Sequence, residues 1–565
     1  MSVPFKLGVA PSAVIAVLFL VLFVAHGVQA QTSPVPAADT ATARRQAQQI
    51  EEAQESAAAR PDVFTPERAN RTERLELPTE TPCFAIRELE WRGAEPFRWL
   101  TANPPIIGAC VGAQGLRNFQ DWLTRALIAR GYITSHAQIP PQNLASGNLI
   151  VEIVAGRVGR VSDEGGSVGW QRAALPIAAG DVLNVHDLDQ ALENMRRLPG
   201  QARVAFDLLP GARFAETDIV IKHPAEKRWR ALLTAGNTGI DATGRNQLGA
   251  IIALDSPLHL YDQLIATYNS DAHFKNDARG SRSKSVSWSV PYGYATFSLS
   301  ASEWSSRQPV NIGGRDYAYV SRTRRVEAGI GYVLYRTGYS KGSLQFKLNR
   351  RTDNTSFGGI NLVTQARDIT AYGIGFTHRQ STGRASWSAG ADLRGSLPGL
   401  SRTPGLVADQ PNWSGSYHIV SANAALEVPF AIGGLRAAYR GALQAQHAPV
   451  PIPSTEYLSI GDRYSVRGFD GNATLAGSGG AVARNELAAG LGVSGQEIYT
   501  AVDAGYIAGK TIQKFTGRML AGAALGVRGG LKTFGYDVMI GMPLVKPTSF
   551  KSSAPSLSFF VTNRF

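Results

Sequence analysis

From Lys227 to Phe565 the chain repeats one pattern: segments of about ten residues in which apolar and polar side chains alternate. Val286, Trp288 and Val290 alternate with Ser287 and Ser289. Ala295, Phe297, Leu299 and Ala301 alternate with Thr296, Ser298 and Ser300, and Val326, Ala328, Ile330, Tyr332 and Leu334 keep the same rhythm. Successive side chains of a strand point to opposite faces, so each segment has one apolar and one polar side. About sixteen such segments follow one another, an even number within the range of single-chain membrane barrels, with lipid outside and a wet lumen inside. Short turns (Ser256-Pro257, Tyr292-Gly293, Gly529-Gly530) alternate with longer loops (Asp271 to Gly280, Ser305 to Arg315, Ser396 to Trp413), as they do at the two ends of such a barrel. The last segment carries Leu557, Phe559 and Val561 and ends on Phe565, an aromatic terminus that reads as a C-terminal barrel signal. A soluble β-sandwich is the alternative arrangement.

The start of the chain fits a membrane destination outside the cytoplasm. Residues 1–30 read as a signal peptide: Lys6 is the positive end, Ala13 to Ala25 is almost wholly apolar, and Val28-Gln29-Ala30 is a small-residue cleavage site. No apolar run of about 18 residues follows, so no helix of the mature chain is expected to span a bilayer. The mean hydropathy of -0.10 excludes a helical membrane bundle. The net charge of +13 is not gathered into a basic block with interleaved aromatics, so nucleic acid is not an expected partner.

Residues 31–60 include a stretch rich in Ala, Gln, Glu and Arg, from Thr40 to the stop at Pro61, that favours helix. Its apolar face is thin, so it suits solvent or a water-filled pore better than a core or lipid. Residues 61–80 read as linker. Residues 81–156 read as a small α+β domain, with Leu116, Phe119, Leu123 and Leu127 at helical spacing before Gly131. Residues 157–223 repeat the plan, with Leu188, Ala191, Leu192, Met195 and Leu198 ahead of Pro199-Gly200. Paired modules of this kind expose strand edges that can take up an extended peptide. The two cysteines, Cys83 and Cys110, fall in the first module, and an oxidising compartment favours a disulfide between them. Two thiols without a nearby histidine are too few for a metal site.

The barrel region, 224–565, is interrupted by a long segment, 449–480, rich in Gly, Pro, Ser and charge, that contains Val466-Arg467-Gly468-Phe469. Arg484-Asn485-Glu486 and Val502-Asp503-Ala504-Gly505 stand on the segments that follow. Together with Pro82-Cys83-Phe84, Gly131-Tyr132-Ile133-Thr134, the Pro140-Pro141 step and Arg197-Leu198-Pro199, this order resembles the two-partner secretion transporters. These are the TpsB family, typified by FhaC and the haemolysin secretion/activation proteins. The resemblance implies an N-terminal plug helix, two POTRA domains that receive the exported partner in the periplasm, and a barrel of sixteen strands in the bacterial outer membrane. It implies that loop 449–480 folds back inside the barrel with its tetrad Val466, Arg467, Gly468 and Phe469 against the wall. Asp503 shares a face with Ala501 and Gly505, alternating with an apolar face, so it is the expected lumen partner of Arg467. The partners implied are a TpsA-like secreted protein (an adhesin, a haemolysin or a toxin), outer-membrane lipid and the barrel-assembly machinery.

Two loose enzymatic matches do not survive their context. Ala504 to Thr511 fits a nucleotide P-loop, but it runs from a predicted strand into an outer loop, with no helix to receive phosphate. Gly338-Tyr339-Ser340-Lys341-Gly342 fits a nucleophile elbow, but lies in a predicted hairpin turn. The histidines show no ligand spacing, so neither catalytic residues, a metal nor a cofactor is expected. The function expected is a translocation pore that exports an unfolded partner without nucleotide. A membrane insertase of the same superfamily is the alternative, and a passive porin is a more distant one.

Overall fold

The computed structural model describes Phe64 and residues 74–565, apart from 103, 165, 168, 224–226, 274–277, 404–414, 493–494 and 512–516. The expected signal peptide and N-terminal helix lie outside the described residues.

The first module contains β1 (Glu88–Arg92), α1 (Ala113–Ala129), β2 (His136–Gln138) and β3 (Asn148–Val154). β1 runs parallel to β3, which pairs antiparallel with β2. Phe119, Leu123 and Leu127 recur at helical spacing, so one face of α1 is fully buried against Leu149 and Val151 of the sheet. The helix stops where Gly131 takes a φ of 91°, a conformation glycine adopts without strain. Gly112 at its start offers no side chain, and Glu80 does that work from a distance: its carboxylate accepts from the N–H groups of Gly112, Gln114 and Gly115. Those N–H groups hold the Glu80 carboxyl below its ordinary value. Residues 74–80, at the end of the expected linker, therefore lie along α1, with Leu75 and Leu77 packed on the core. A disulfide joins Cys83 and Cys110 beside the short pairing of Phe84–Ala85 with Cys110–Val111, Cα to Cα 5.4 Å.

The second module contains β4 (Arg157–Asp163), α2 (Val185–Arg196), β5 (Ala205–Pro210) and β6 (Glu216–Lys222). β6 pairs parallel with β4 and antiparallel with β5. Asn184 caps α2 by accepting from the His186 N–H at 2.9 Å, and Leu188, Ala191, Leu192 and Met195 fill the core.

Sixteen strands then close into an antiparallel barrel. They are β7 (Trp229–Gly236), β8 (Gln247–Asp255), β9 (Gln263–Asp271), β10 (Gly280–Tyr292), β11 (Ala295–Ile312), β12 (Arg315–Arg336), β13 (Ser340–Phe357) and β14 (Arg367–Ser381). β15 (Ser386–Ser396), β16 (His418–Ile432), β17 (Leu435–His447), β18 (Leu475–Gly490), β19 (Gln496–Thr511), β20 (Met519–Leu531), β21 (Phe534–Val545) and β22 (Ser556–Arg564) complete it. Two short pieces, Ile360–Asn361 and Leu458–Ile460, pair on the side without interrupting the ring. β22 closes on β7, and Phe565 extends the seam by exchanging backbone hydrogen bonds with Ala231. Among the described residues no helix is long and apolar enough to cross a membrane.

Two expected connections differ. Ser305 to Arg315 is not an open loop: β11 runs on to Ile312 and turns at Gly313-Gly314 into β12. The apolar alternation stops there because the hairpin has left lipid, while the backbone ladder continues in water. Gly529-Gly530 lies inside β20, and the turn comes after Leu531.

The second module is locked to one end of the barrel. Asn194 donates to the Gly293 carbonyl in the β10–β11 turn, and Arg197 reaches the carbonyls of Tyr261 and Ser289. Glu193 pairs with Arg336 at 2.7 Å and with Lys341, while Tyr294 donates to Asp187.

Candidate functional site in the barrel lumen

The connection from β17 to β18, residues 448–474, lies inside the barrel, and the last six residues of the expected loop 449–480 belong to β18. At one side Ile452 and Tyr457 pack on Ile369, Tyr417 and Ile419, and Glu456 faces Arg351 and Arg394 at 3.5 and 3.6 Å. At the other side Val466 and Phe469 sink among Ile460, Leu475, Val482, Ile507, Leu520 and Phe550. The loop thus spans from the β13–β16 wall to the β18–β21 wall.

Arg467 is the hinge of the second contact. Its Nε and Nη2 donate to the two carboxylate oxygens of Asp503 at 2.7 and 2.9 Å, and its own backbone N–H donates to Asp503 at 2.9 Å. Nη1 donates to Glu486 at 2.5 Å, and Nη2 also reaches the Asn485 carbonyl at 3.3 Å. A planar fork matches a carboxylate in this way, and a point charge does not. Asp503 is wholly buried and Arg467 is 5% exposed, so neither charge has water to fall back on. Glu486 is in turn held from behind. Arg528 donates to Glu486 at 2.6 Å and to Glu497 at 2.9 Å, and Arg440 touches both.

The strand phase explains why these groups meet. Ala501 and Asp503 of β19 are buried, while Val502 and Tyr506 are about half exposed on the outer face. Tyr499 lies on the lumen side with Asp503, where its phenol donates to Asp537 at 2.7 Å.

Gly468 has a φ of 112°, and a Cβ there would stand 2.6 Å from the Met542 carbonyl oxygen. The wall makes room in the same way. A Cβ on Gly522 of β20 would meet the Arg467 carbonyl oxygen at 2.0 Å, and one on Gly541 of β21 would meet the Gly468 Cα at 2.8 Å. Phe469 then stands edge-on to Phe550, ring centres 5.6 Å apart. Gly522, Gly541, Phe550, Arg440 and Arg528 were not singled out from the sequence. For the two arginines the usable signal is a charge at the inward phase of a membrane strand. For the two glycines no local signal exists, since the need for them comes from a loop more than fifty positions away.

The modules and the barrel are matched by comparison with known proteins. The family described as haemolysin secretion/activation protein ShlB/FhaC/HecB matches residues 215–529. The chain belongs to this family. A POTRA domain of ShlB type matches residues 84–156, and a further POTRA domain matches residues 160–210. Among relatives, the outer membrane transporter CdiB-2 of Burkholderia pseudomallei (strain 1026b) is 30% identical over 97% of this chain and 99% of its own. The hemolysin transporter protein ShlB of Serratia marcescens is 28% identical over 73% of each chain. The solved structure of CdiB from Escherichia coli superposes with a TM-score of 0.85 at 24% identity, covering 95% of this chain and all of that one, which supports the fold. The chain is therefore an outer-membrane transporter of the haemolysin secretion type, a pore for a secreted partner, with its POTRA domains in the periplasm. The end of the barrel that holds α2 is the periplasmic end.

Neither loose enzymatic match lies in an enzyme-like setting. Ala504 to Thr511 lies within β19, and Gly338-Tyr339 forms the turn between β12 and β13.

Proposed function

We propose that the chain captures an extended, unfolded segment of its partner on the POTRA sheet edges and passes it through a lumen that loop 449–480 holds in a defined state. The partner is a TpsA-like adhesin, haemolysin or toxin; the hemolysin transporter among the relatives favours that class. Folding of the partner outside supplies the drive, so no catalytic step is needed. Residues 31–60 plug the lumen at rest. Phe565 is the mark by which the barrel-assembly machinery inserts the chain among outer-membrane lipids. The observation that carries the reading is the bidentate seat of Arg467 on Asp503, with Glu486 beside it, in a site closed to water. An inserted wall alone does not need a loop fastened across its own lumen.

The test is export of the partner into the medium, normalised to heat-modifiable barrel in the outer membrane. Arg467→Ala takes from the buried Asp503 its bidentate partner, which costs about 3–5 kcal/mol for a buried pair. Export falls at least about tenfold while insertion is retained. Near-normal export by this variant overturns the reading.

A further inference from the structure

The outer face of the barrel is not uniform around its circumference. On β10 the apolar outward residues Val286, Trp288 and Val290 are followed, away from the periplasm, by Lys284 and Arg282. On β11 Ala301 is followed by Glu303, Ser305 and Arg307, on β12 Val326 is followed by Arg324 and Arg322, and on β13 Leu348 is followed by Arg350. Ser281, Ser283 and Ser285 between them are buried on the lumen side, which fixes the phase. The register aligns the basic positions in rows: Lys284, Glu303 and Arg324 are direct neighbours across three strands, and Arg282, Ser305 and Arg322 form the next row. Rows are about 7 Å apart and strands about 4.8 Å apart, so the six cations share one patch. Glu303 bridges Lys284 and Arg324, and Asp368 of β14 holds Arg350 at 2.7 Å. Arg307 and Arg322 are exposed and have no carboxylate partner among the described residues. Along the described parts of β7–β9 and β15–β22 the outward strand positions carry one charge, Lys510.

A basic sector directly above the apolar band, at the end remote from the POTRA domains, stands at the height of the headgroups of the outer leaflet. We propose that the outer face of β10–β13 is a binding surface for the phosphate groups of lipopolysaccharide. Its acyl chains would lie against Trp288, Leu299, Ala328 and Leu348, one register row of the apolar band. Arg307 and Arg322 supply the unneutralised charge, and the bridged cations fix the width of the site. Attraction of this kind adds up per basic residue near an anionic surface.

The experiment measures retention of purified lipopolysaccharide by the immobilised full-length chain in detergent. Arg307→Gln with Arg322→Gln lowers retention about tenfold or more. Arg282→Gln with Lys284→Gln lowers it independently, so either pair decides if the other fails to give a heat-modifiable barrel. Lys510→Gln, on the far wall, leaves retention unchanged. Lipopolysaccharide stripped of its phosphates binds the unaltered chain as weakly as the intact lipid binds the variants. Equal retention by the unaltered chain and both pairs overturns the proposal. So does full retention of the dephosphorylated lipid, or displacement by inorganic phosphate at the lipid's own concentration.

Discussion

Two ionic junctions hold separate pieces of this molecule to the same wall, and they are built differently. Arg467 sits in the lumen with its guanidinium fully occupied, its partner Asp503 wholly buried, and further arginines behind Glu486. Glu193 joins the second POTRA domain to Arg336 and Lys341 at the periplasmic rim, where its side chain keeps 22% of its exposure. Burial pushes the Glu193 carboxyl up, but Lys341 and Arg336 outweigh it and the group sits below its ordinary value. The inner junction fails outright when one member is removed, because no water can replace it. The outer one is one contact among several, with the Asn194 and Arg197 bonds to turn carbonyls remaining. Coupling energy is thus concentrated in the lumen and distributed at the rim.

The sharpest way to break that contrast is Asp503→Ala, which matches Arg467→Ala in export, with the double variant no worse than either alone if the two act as one unit. Export assays on the three chains check it; an additive double loss means that Asp503 and Arg467 act separately. Arg467→Lys is impaired as well, since an ammonium cannot fill both oxygens and reach Glu486. Gly522→Ala asks whether charge alone fastens the loop. It alters no ion pair, yet its Cβ collides with the Arg467 carbonyl, so cysteine cross-linking between loop and wall drops and export falls several-fold, roughly as for an overpacking cost of 1–3 kcal/mol.

At the rim, Glu193→Gln loosens α2 by about 1.5–3 kcal/mol, read as faster hydrogen exchange over Val185–Arg196. The sign with pH follows from the depressed carboxyl. The contribution of Glu193 is complete above its unfolded value of about 4.3 and is lost as pH falls through the lower folded value. Between pH 7 and about 5 docking is constant, and the acid loosening seen below about 4 disappears in Glu193→Gln. The smallest effect is Glu80→Gln, which exposes the first turn of α1 to faster exchange at Gln114 and Gly115 and leaves export intact. A loss of export there would place the N-terminal strap inside the coupling.

Most of the wall was legible because a membrane strand writes its environment into every second residue. Val286 to Val290 and Val326 to Leu334 carry that signal in full. Both POTRA helices were legible for the same reason at a different period. What the alternation could not show is where a strand goes once both faces are wet, which is why β11 and β12 extend through a stretch that reads as loop. Asp503 could be placed by strand phase, but its pairing with Arg467 needed the family's folded-back loop as a guide. Glu486 stood in a noted motif without a role, since its partner arrives from position 467 by a path that no local pattern encodes. The docking of Asn194 and Arg197 was invisible, because it rests on backbone carbonyls that any residue provides, and Glu193 meets Arg336 and Lys341 across more than 140 positions, which no local pattern spans.

The paired glycines of β20 and β21 restrict how the loop can move. Between them the loop backbone rests almost directly on the wall backbone, with the Arg467 carbonyl over Gly522 and the Gly468 Cα against Gly541. A displacement along the strand would carry the Cβ atoms of Arg467 or Phe469 over the same spot, where the steric limit admits none. Translation parallel to the wall is therefore barred, and the open direction is outward into the lumen, like a lid leaving its seat. Such a lift parts the Asp503 and Glu486 contacts together and draws Phe469 out from beside Phe550.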